Sequence, residues 1–128
     1  VHVGQDDMEA GKVREKLGPD KIIGVSSHSV EEAVEAEKNG ADYLGAGAVF
    51  STSTKGDAGA LSMETLKAIC SSVSIPVVAI GGIKEKNILS LKGTGVAGAA
   101  IVSGIFAQKN IREACVRLRG LAKEMVEK

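Results

Sequence analysis

"IPVVAIGGI", residues 75–83, is the stretch on which the fold turns. Ile75 to Ile80 is a short, continuous and largely β-branched apolar run that stops at the pair Gly81–Gly82, the pattern of a parallel strand covered on both faces. Working outward, the same pattern recurs as "AGAAIVSGI" (97–105), "DYLGAGAVF" (42–50), "KIIGVSS" (21–27) and "VHVGQ" (1–5), each ending in small or polar residues.

Helical patterns lie between these runs. "SVEEAVEAEKNG" opens with Ser29 and Glu32 at capping-box spacing, buries Val30, Ala33 and Val34 on one face and stops at Gly40. "LSMETLKAICSSV" and the terminal "NIREACVRLRGLAKEMVEK" repeat the three-and-four spacing. Five alternations of strand and helix call for right-handed crossovers and a parallel sheet.

Two α/β architectures satisfy that alternation, an open doubly wound sheet and a (β/α)8 TIM barrel. A dinucleotide-binding sheet puts its glycine-rich turn after the first strand, whereas here "IGGI" and "VSGI" follow the last two, where barrels build phosphate sites. Eight units need roughly 200 residues or more, and this chain of 128 starts within a strand and without an initiator methionine. The expectation is a single domain over 1–128, a partial TIM barrel of about five units whose three amino-terminal units are missing. Unpaired parallel edges then call for either a homo-oligomer or association with the missing amino-terminal segment.

Sixteen basic and sixteen acidic side chains cancel, so no long-range field draws nucleic acid or an anionic membrane, and an anion must be held by local geometry. Aromatics make up 2% of the chain, too few for base-stacking platforms or a large protein hot spot. No apolar run reaches the roughly 20 residues of a membrane span, and no secretory signal opens the chain. Small-molecule substrates and a cytoplasmic location are the expectation. Cys70 and Cys115 are placed on helical stripes, the second with Ile111, Leu118 and Ala122, and are assigned to packing.

In parallel α/β folds the ligand meets the carboxyl ends of the strands. Gln5, Asp6 and Asp7 follow the first strand, Ser26, Ser27 and His28 the second, Thr52, Ser53, Thr54 and Lys55 the third, Gly81 and Gly82 the fourth, and Ser103 and Gly104 the fifth. Gly82, the backbone of Val102 and the Ser103 hydroxyl are suited to cradling a phosphate monoester. Thr52 to Thr54 donate to phosphate or carboxylate oxygens, and Lys55 offers a point charge to a leaving diphosphate. Asp7 suits Mg²⁺, which takes one or two carboxylates plus substrate phosphates, but by spacing alone it suits the first turn of a helix better, where the dipole favours an acid without any metal. His28 shows no acidic partner nearby, and His2 reads as a satisfied core histidine.

With these residues placed, the chain resembles the thiamine phosphate synthases across nearly its whole length. The similarity is carried by "VHVGQDD", "IIGVSSHSVEEAVEAEKNGADYLGAGAVFSTSTK", "IPVVAIGGI" and "AIVSGIF", in that order. It implies a (β/α)8 barrel and a Mg²⁺-dependent transferase of thiamine biosynthesis, which joins a hydroxymethylpyrimidine diphosphate to a thiazole phosphate through a dissociative step and releases pyrophosphate. It implies Asp7 as a magnesium ligand, Ser26 and Lys55 as catalytic contacts to the pyrimidine diphosphate, Thr52, Ser53 and Thr54 as the thiazole-phosphate loop, and Gly82, Val102 and Ser103 as its phosphate grip. The family's motifs after its second and third strands, the second magnesium ligand among them, belong to the missing segment. Ala48 stands where the synthases usually carry proline, and Gly56 where a second lysine is common. Two alternatives stay open: a thiazole tautomerase-like isomerase, whose members carry histidine at the position of Ala48, and a noncatalytic phosphate-binding remnant of the barrel.

Overall fold

The computed structural model describes residues 1–50 and 60–127. The five apolar runs become five strands: β1 (His2–Val3), β2 (Gly24–Ser27), β3 (Tyr43–Ala46), β4 (Val77–Ile80) and β5 (Gly98–Ala100). All pair in parallel in the order β1-β2-β3-β4-β5. A doubly wound sheet reverses its strand order at a switch point. This sheet has no reversal, so each strand lies beside its sequence neighbour as in a barrel wall.

The helices are α1 (Ala10–Leu17), α2 (Val30–Lys38), α3 (Met63–Ser72), the short α4 (Ser103–Phe106) and α5 (Ile111–Val126). Helix α2 starts where its sequence signals: the Ser29 hydroxyl accepts the Glu32 N–H at 3.1 Å. It ends in a Schellman turn, with the Ala41 N–H donating to the Ala36 carbonyl at 3.0 Å and Gly40 at φ 96. The β4–β5 crossover departs from the expected alternation, because its ordered piece is a 3₁₀ turn, Ile88–Leu91, against which α5 packs. Gly93 and Gly95, at φ 86 and 98, stop that turn from lengthening into a helix.

The core lies between the sheet and the helices. Val25, Leu44, Ala46, Val77 and Ala79 point into it from the strands and meet Ala33, Ala36, Leu66, Ile69 and Leu118. Strand residues of the other parity, including His2, Ser26, Tyr43, Val78 and Ile80, line the opposite face, where Ile80 is 43% exposed. Helices thus cover one face only among the described residues, not two. The apolar runs concealed this because small residues continue a run whatever covers them: Gly24 and Gly45 are buried under the Tyr43 and His2 rings, and Gly98 and Ala100 are only partly buried.

Cys70 is half-buried, as its stripe implies, but Cys115 is exposed. The inward stripe of α5 is Ala114, Leu118 and Met125; Leu118 faces the core as expected, but Ile111 and Cys115 fall on the exposed side. No helix among the described residues is long and apolar enough to cross a membrane.

Candidate functional site

Because the sheet is parallel and in sequence order, every post-strand loop emerges along one edge. The loops after β4 and β5 are in direct contact. Gly81 and Gly82 have φ 107 and 66, left-handed conformations that side-chain-bearing residues rarely adopt. A Cβ on Gly104 would meet the Ile83 carbonyl oxygen at 2.6 Å, so the turn holding Ser103 rests on the backbone that leaves Gly82. Ser103 opens α4 behind Val102, which is 67% exposed, and the first N–H groups of a helix lack intrahelical acceptors. Gly82, Val102 and Ser103 therefore belong to two adjoining turns, with Val102 and Ser103 exposed and Gly82 partly so.

Asn87 holds this loop from beneath, and the sequence reading passed over it. Its Nδ2 donates to the Gly82 carbonyl at 2.9 Å and its Oδ1 accepts the Lys84 N–H at 2.7 Å. Both partners precede it, by three and five residues, whereas an Asx turn reaches two residues forward, so no local turn rule marks Asn87.

The loop after β3 is fastened to the same place at its start. Val49 N–H donates to the Ile80 carbonyl at 2.9 Å and Phe50 N–H to the Gly81 carbonyl at 3.1 Å. On its far side Leu61 N–H donates to the Ala48 carbonyl at 2.6 Å. Thr52, Ser53, Thr54 and Lys55 lie between these anchors, outside the described residues.

Ser26, at the end of β2, is half-buried on the helix-free face, its Oγ 2.8 Å from His2 Nε2. Its carbonyl accepts the Gln5 Nε2 at 2.7 Å, which ties the β1 loop to the β2 end. Ser27 points the other way, fully buried, and its hydroxyl finds no partner among the described residues. His2 is exposed rather than a core residue, yet both ring nitrogens are engaged, Nδ1 with the Tyr43 hydroxyl at 2.9 Å.

Asp7 precedes α1 instead of standing in its first turn, because Glu9 is the cap residue. Its Oδ2 accepts the Gly4 N–H at 2.7 Å, closing the β1 loop, and its other oxygen takes no hydrogen bond among the described residues. No group of three or more His, Cys, Asp and Glu side chains is arranged to hold a metal among those residues. Asp7 could serve Mg²⁺ as a single protein ligand, with oxygens from outside the described side chains completing the shell, and does not fit an all-protein cage.

A cleft of about 470 Å³ lies between the Gly4–Glu9 loop and α2 and is lined by Asp7, Glu9, Glu31, Glu32 and Glu35. Such a wall repels a phosphate that no cation accompanies, so the cleft is not by itself an anion site. His28, expected to lack an acidic partner, has one: Glu32 Oε1 is 3.2 Å from its ring Nδ1 and accepts its backbone N–H at 2.8 Å. The partner sits one helical turn on, and it occupies the histidine at the start of α2.

The displaced acidities lie elsewhere. Asp42, just before β3, is held below its ordinary value by the Ile23 N–H and by Arg14. The Glu37 carboxyl in α2 is held down by the Ser74 hydroxyl and N–H. Both are structural clamps, and the strand ends present donors, not an acid–base pair.

A family profile described as Thiamine monophosphate synthase matches residues 1–105. A thiamine-phosphate synthase of Clostridium acetobutylicum is 59% identical over 113 residues, 88% of this chain and 54% of its own length. One from Ruminiclostridium cellulolyticum is 58% identical over 118 residues, 92% of this chain and 56% of its own. The structure of a thiamine phosphate pyrophosphorylase from Pyrococcus furiosus superimposes with a TM-score of 0.89 at 45% identity, covering 99% of this chain and 60% of that one. The chain thus spans little more than half the length of the curated relatives it matches.

Proposed function

The chain belongs to the thiamine monophosphate synthase family, and from that premise we propose that the protein carrying it couples a hydroxymethylpyrimidine diphosphate to a thiazole phosphate with release of pyrophosphate. Residues 1–128 are read as one domain, five units of a (β/α)8 barrel. The observation that carries the proposal is the seating of Gly104 on Ile83, which sets two donor-rich loops side by side in a chain whose relatives are synthases.

In this reading the phosphate of the thiazole rests on Gly82, Val102 and Ser103, with Thr52, Ser53 and Thr54 donating from the adjacent loop. Lys55 and Ser26 receive the diphosphate and stabilise its charge as the carbon–oxygen bond breaks. The pyrimidine-methyl cation left behind is captured by the thiazole nitrogen, which the phosphate grip holds in place. Such a step depends on charge neutralisation and orientation more than on proton transfer, in keeping with a set of hydroxyls and backbone donors. Asp7 would hold Mg²⁺, whose chemistry when bound is neutralisation of the diphosphate charge.

The test is pyrophosphate release by the full-length protein given both substrates and Mg²⁺, with thiamine phosphate appearing in equal amount. Isomerisation of a thiazole phosphate without joining, or phosphate binding without turnover, would replace the proposal with one of its two alternatives.

A further inference from the structure

Three side chains on the helix-free face form a continuous hydrogen-bonded relay across three strands. The Tyr43 hydroxyl is 2.9 Å from His2 Nδ1, and His2 Nε2 is 2.8 Å from Ser26 Oγ. His2, Gly24 and Tyr43 are register partners on β1, β2 and β3, so Tyr43 must reach over β2 to touch β1. It does so above Gly24, where a Cβ would meet Tyr43 Cζ at 2.0 Å and its hydroxyl at 2.4 Å. The His2 ring leans the opposite way, over Gly45, where a Cβ would lie 3.1 Å from Cε1. Two glycines on neighbouring strands thus make the room in which the two rings meet. Ser26 is the register partner of Gly45, so its hydroxyl shares their face.

An imidazole held between two hydroxyls donates from one nitrogen and accepts at the other. A phenolic hydroxyl is more acidic than an aliphatic one and is the better donor, so Tyr43 donates to Nδ1. Nε2–H then donates to Ser26, and the serine's own proton is directed away from the ring. The opposite tautomer would draw that proton toward His2 and leave Ser26 presenting lone pairs, which a diphosphate oxygen, an acceptor only, cannot use.

We propose that Tyr43 and His2 are positioning residues that fix Ser26 as a hydrogen-bond donor to the diphosphate. This rests on the reading of Ser26 as a diphosphate contact. Polarisation along such a series strengthens the terminal donor, so the effect of Tyr43 passes entirely through Ser26.

The experiment uses the full-length protein, with ¹⁵N-histidine NMR to read the His2 tautomer and calorimetry to read binding of inorganic pyrophosphate in the presence of Mg²⁺. A His2→Gln variant assigns the resonances, and Tyr43→Phe keeps the ring while removing the hydroxyl. The expected results are a proton on Nε2 and an Nδ1 resonance that moves in Tyr43→Phe. Pyrophosphate should bind about three- to tenfold more weakly to Tyr43→Phe, the range for loss of one neutral hydrogen bond. The Tyr43→Phe, Ser26→Ala double variant should bind no more weakly than Ser26→Ala alone. A proton on Nδ1, wild-type protein that fails to bind pyrophosphate, or substitutions whose effects multiply would each overturn the inference. If the expected binding pattern occurs without pyrophosphate release from the pyrimidine diphosphate, the proposed reaction falls and the relay stands.

Discussion

Gly104 lies so close to the backbone of Ile83 that a Cβ on it would sit 2.6 Å from the Ile83 carbonyl oxygen. That contact fixes the distance between the loops after β4 and β5. Gly104→Ala must push them apart, because the obstacle is backbone and cannot turn aside, at an overpacking cost of about 1–3 kcal/mol. For the reaction proposed above, the expected result in the full-length protein is a raised KM for the thiazole phosphate, with the KM for the diphosphate changed far less. Equal changes in both would show that the two loops do not form a separate grip.

Asn87 supports the same loop through two bonds, to Gly82 and Lys84. Asn87→Ala removes both, and the net loss should be about 1–3 kcal/mol in unfolding free energy, read by urea denaturation. Asn87→Asp retains the acceptor for Lys84 N–H and loses the donor to Gly82. It should fall between wild type and Asn87→Ala in stability.

Gly24→Ala tests the space beneath Tyr43 without altering a polar group. A methyl 2.0 Å from Cζ cannot coexist with the present ring position. Tyr43 should swing away and His2 lose its Nδ1 partner, giving the same histidine NMR change as Tyr43→Phe. An unchanged His2 spectrum would contradict the packing described here.

The acid limb of stability should depend on Asp42 and Glu37, whose carboxyls titrate below their ordinary values of 3.8 and 4.5. As pH falls through those ordinary values the unfolded chain takes up protons that the folded chain still refuses, so stability drops with falling pH. The contribution is complete above that window and gone once the folded carboxyls protonate. Asp42→Asn and Glu37→Gln should each flatten the stability profile between pH 5 and pH 3, approximate bounds set by the ordinary carboxylate range. Identical slopes for variants and wild type in urea titrations would refute this.

Cys115 is exposed, whereas Cys70 is half-buried with its thiol pushed up by burial. Thiolate is the reactive form, so an alkylating reagent should label Cys115 well before Cys70 in the native protein. Peptide mass spectrometry at successive times distinguishes the two orders, and faster labelling of Cys70 would count against the packing of α3.

The chain's one-dimensional pattern specified a good deal. The five apolar runs, the Ser29 cap and the halt of α2 at Gly40 are local, since each follows from side-chain polarity, hydrogen-bonding reach or backbone freedom over a few residues. The same locality made the loops after β4 and β5 recognisable as donor-rich. It also caused the errors at Cys115 and at the β4–β5 crossover, where a periodic count did not say which stripe faces inward or whether a polar segment coils into a full helix.

Tertiary structure decided what lies side by side. Gly24 looks in sequence like part of an apolar strand, and Gly104 like a turn residue. Only the parallel register puts Gly24 beneath a tyrosine 19 positions on, and only the seating of two loops brings Gly104 against Ile83. The His2–Ser26 bond joins residues 24 positions apart, and no local rule specifies such a pair. Residue identity and short-range sterics select the elements, but the orientation of a hydroxyl at a strand end is set by which neighbours the sheet brings within hydrogen-bonding distance.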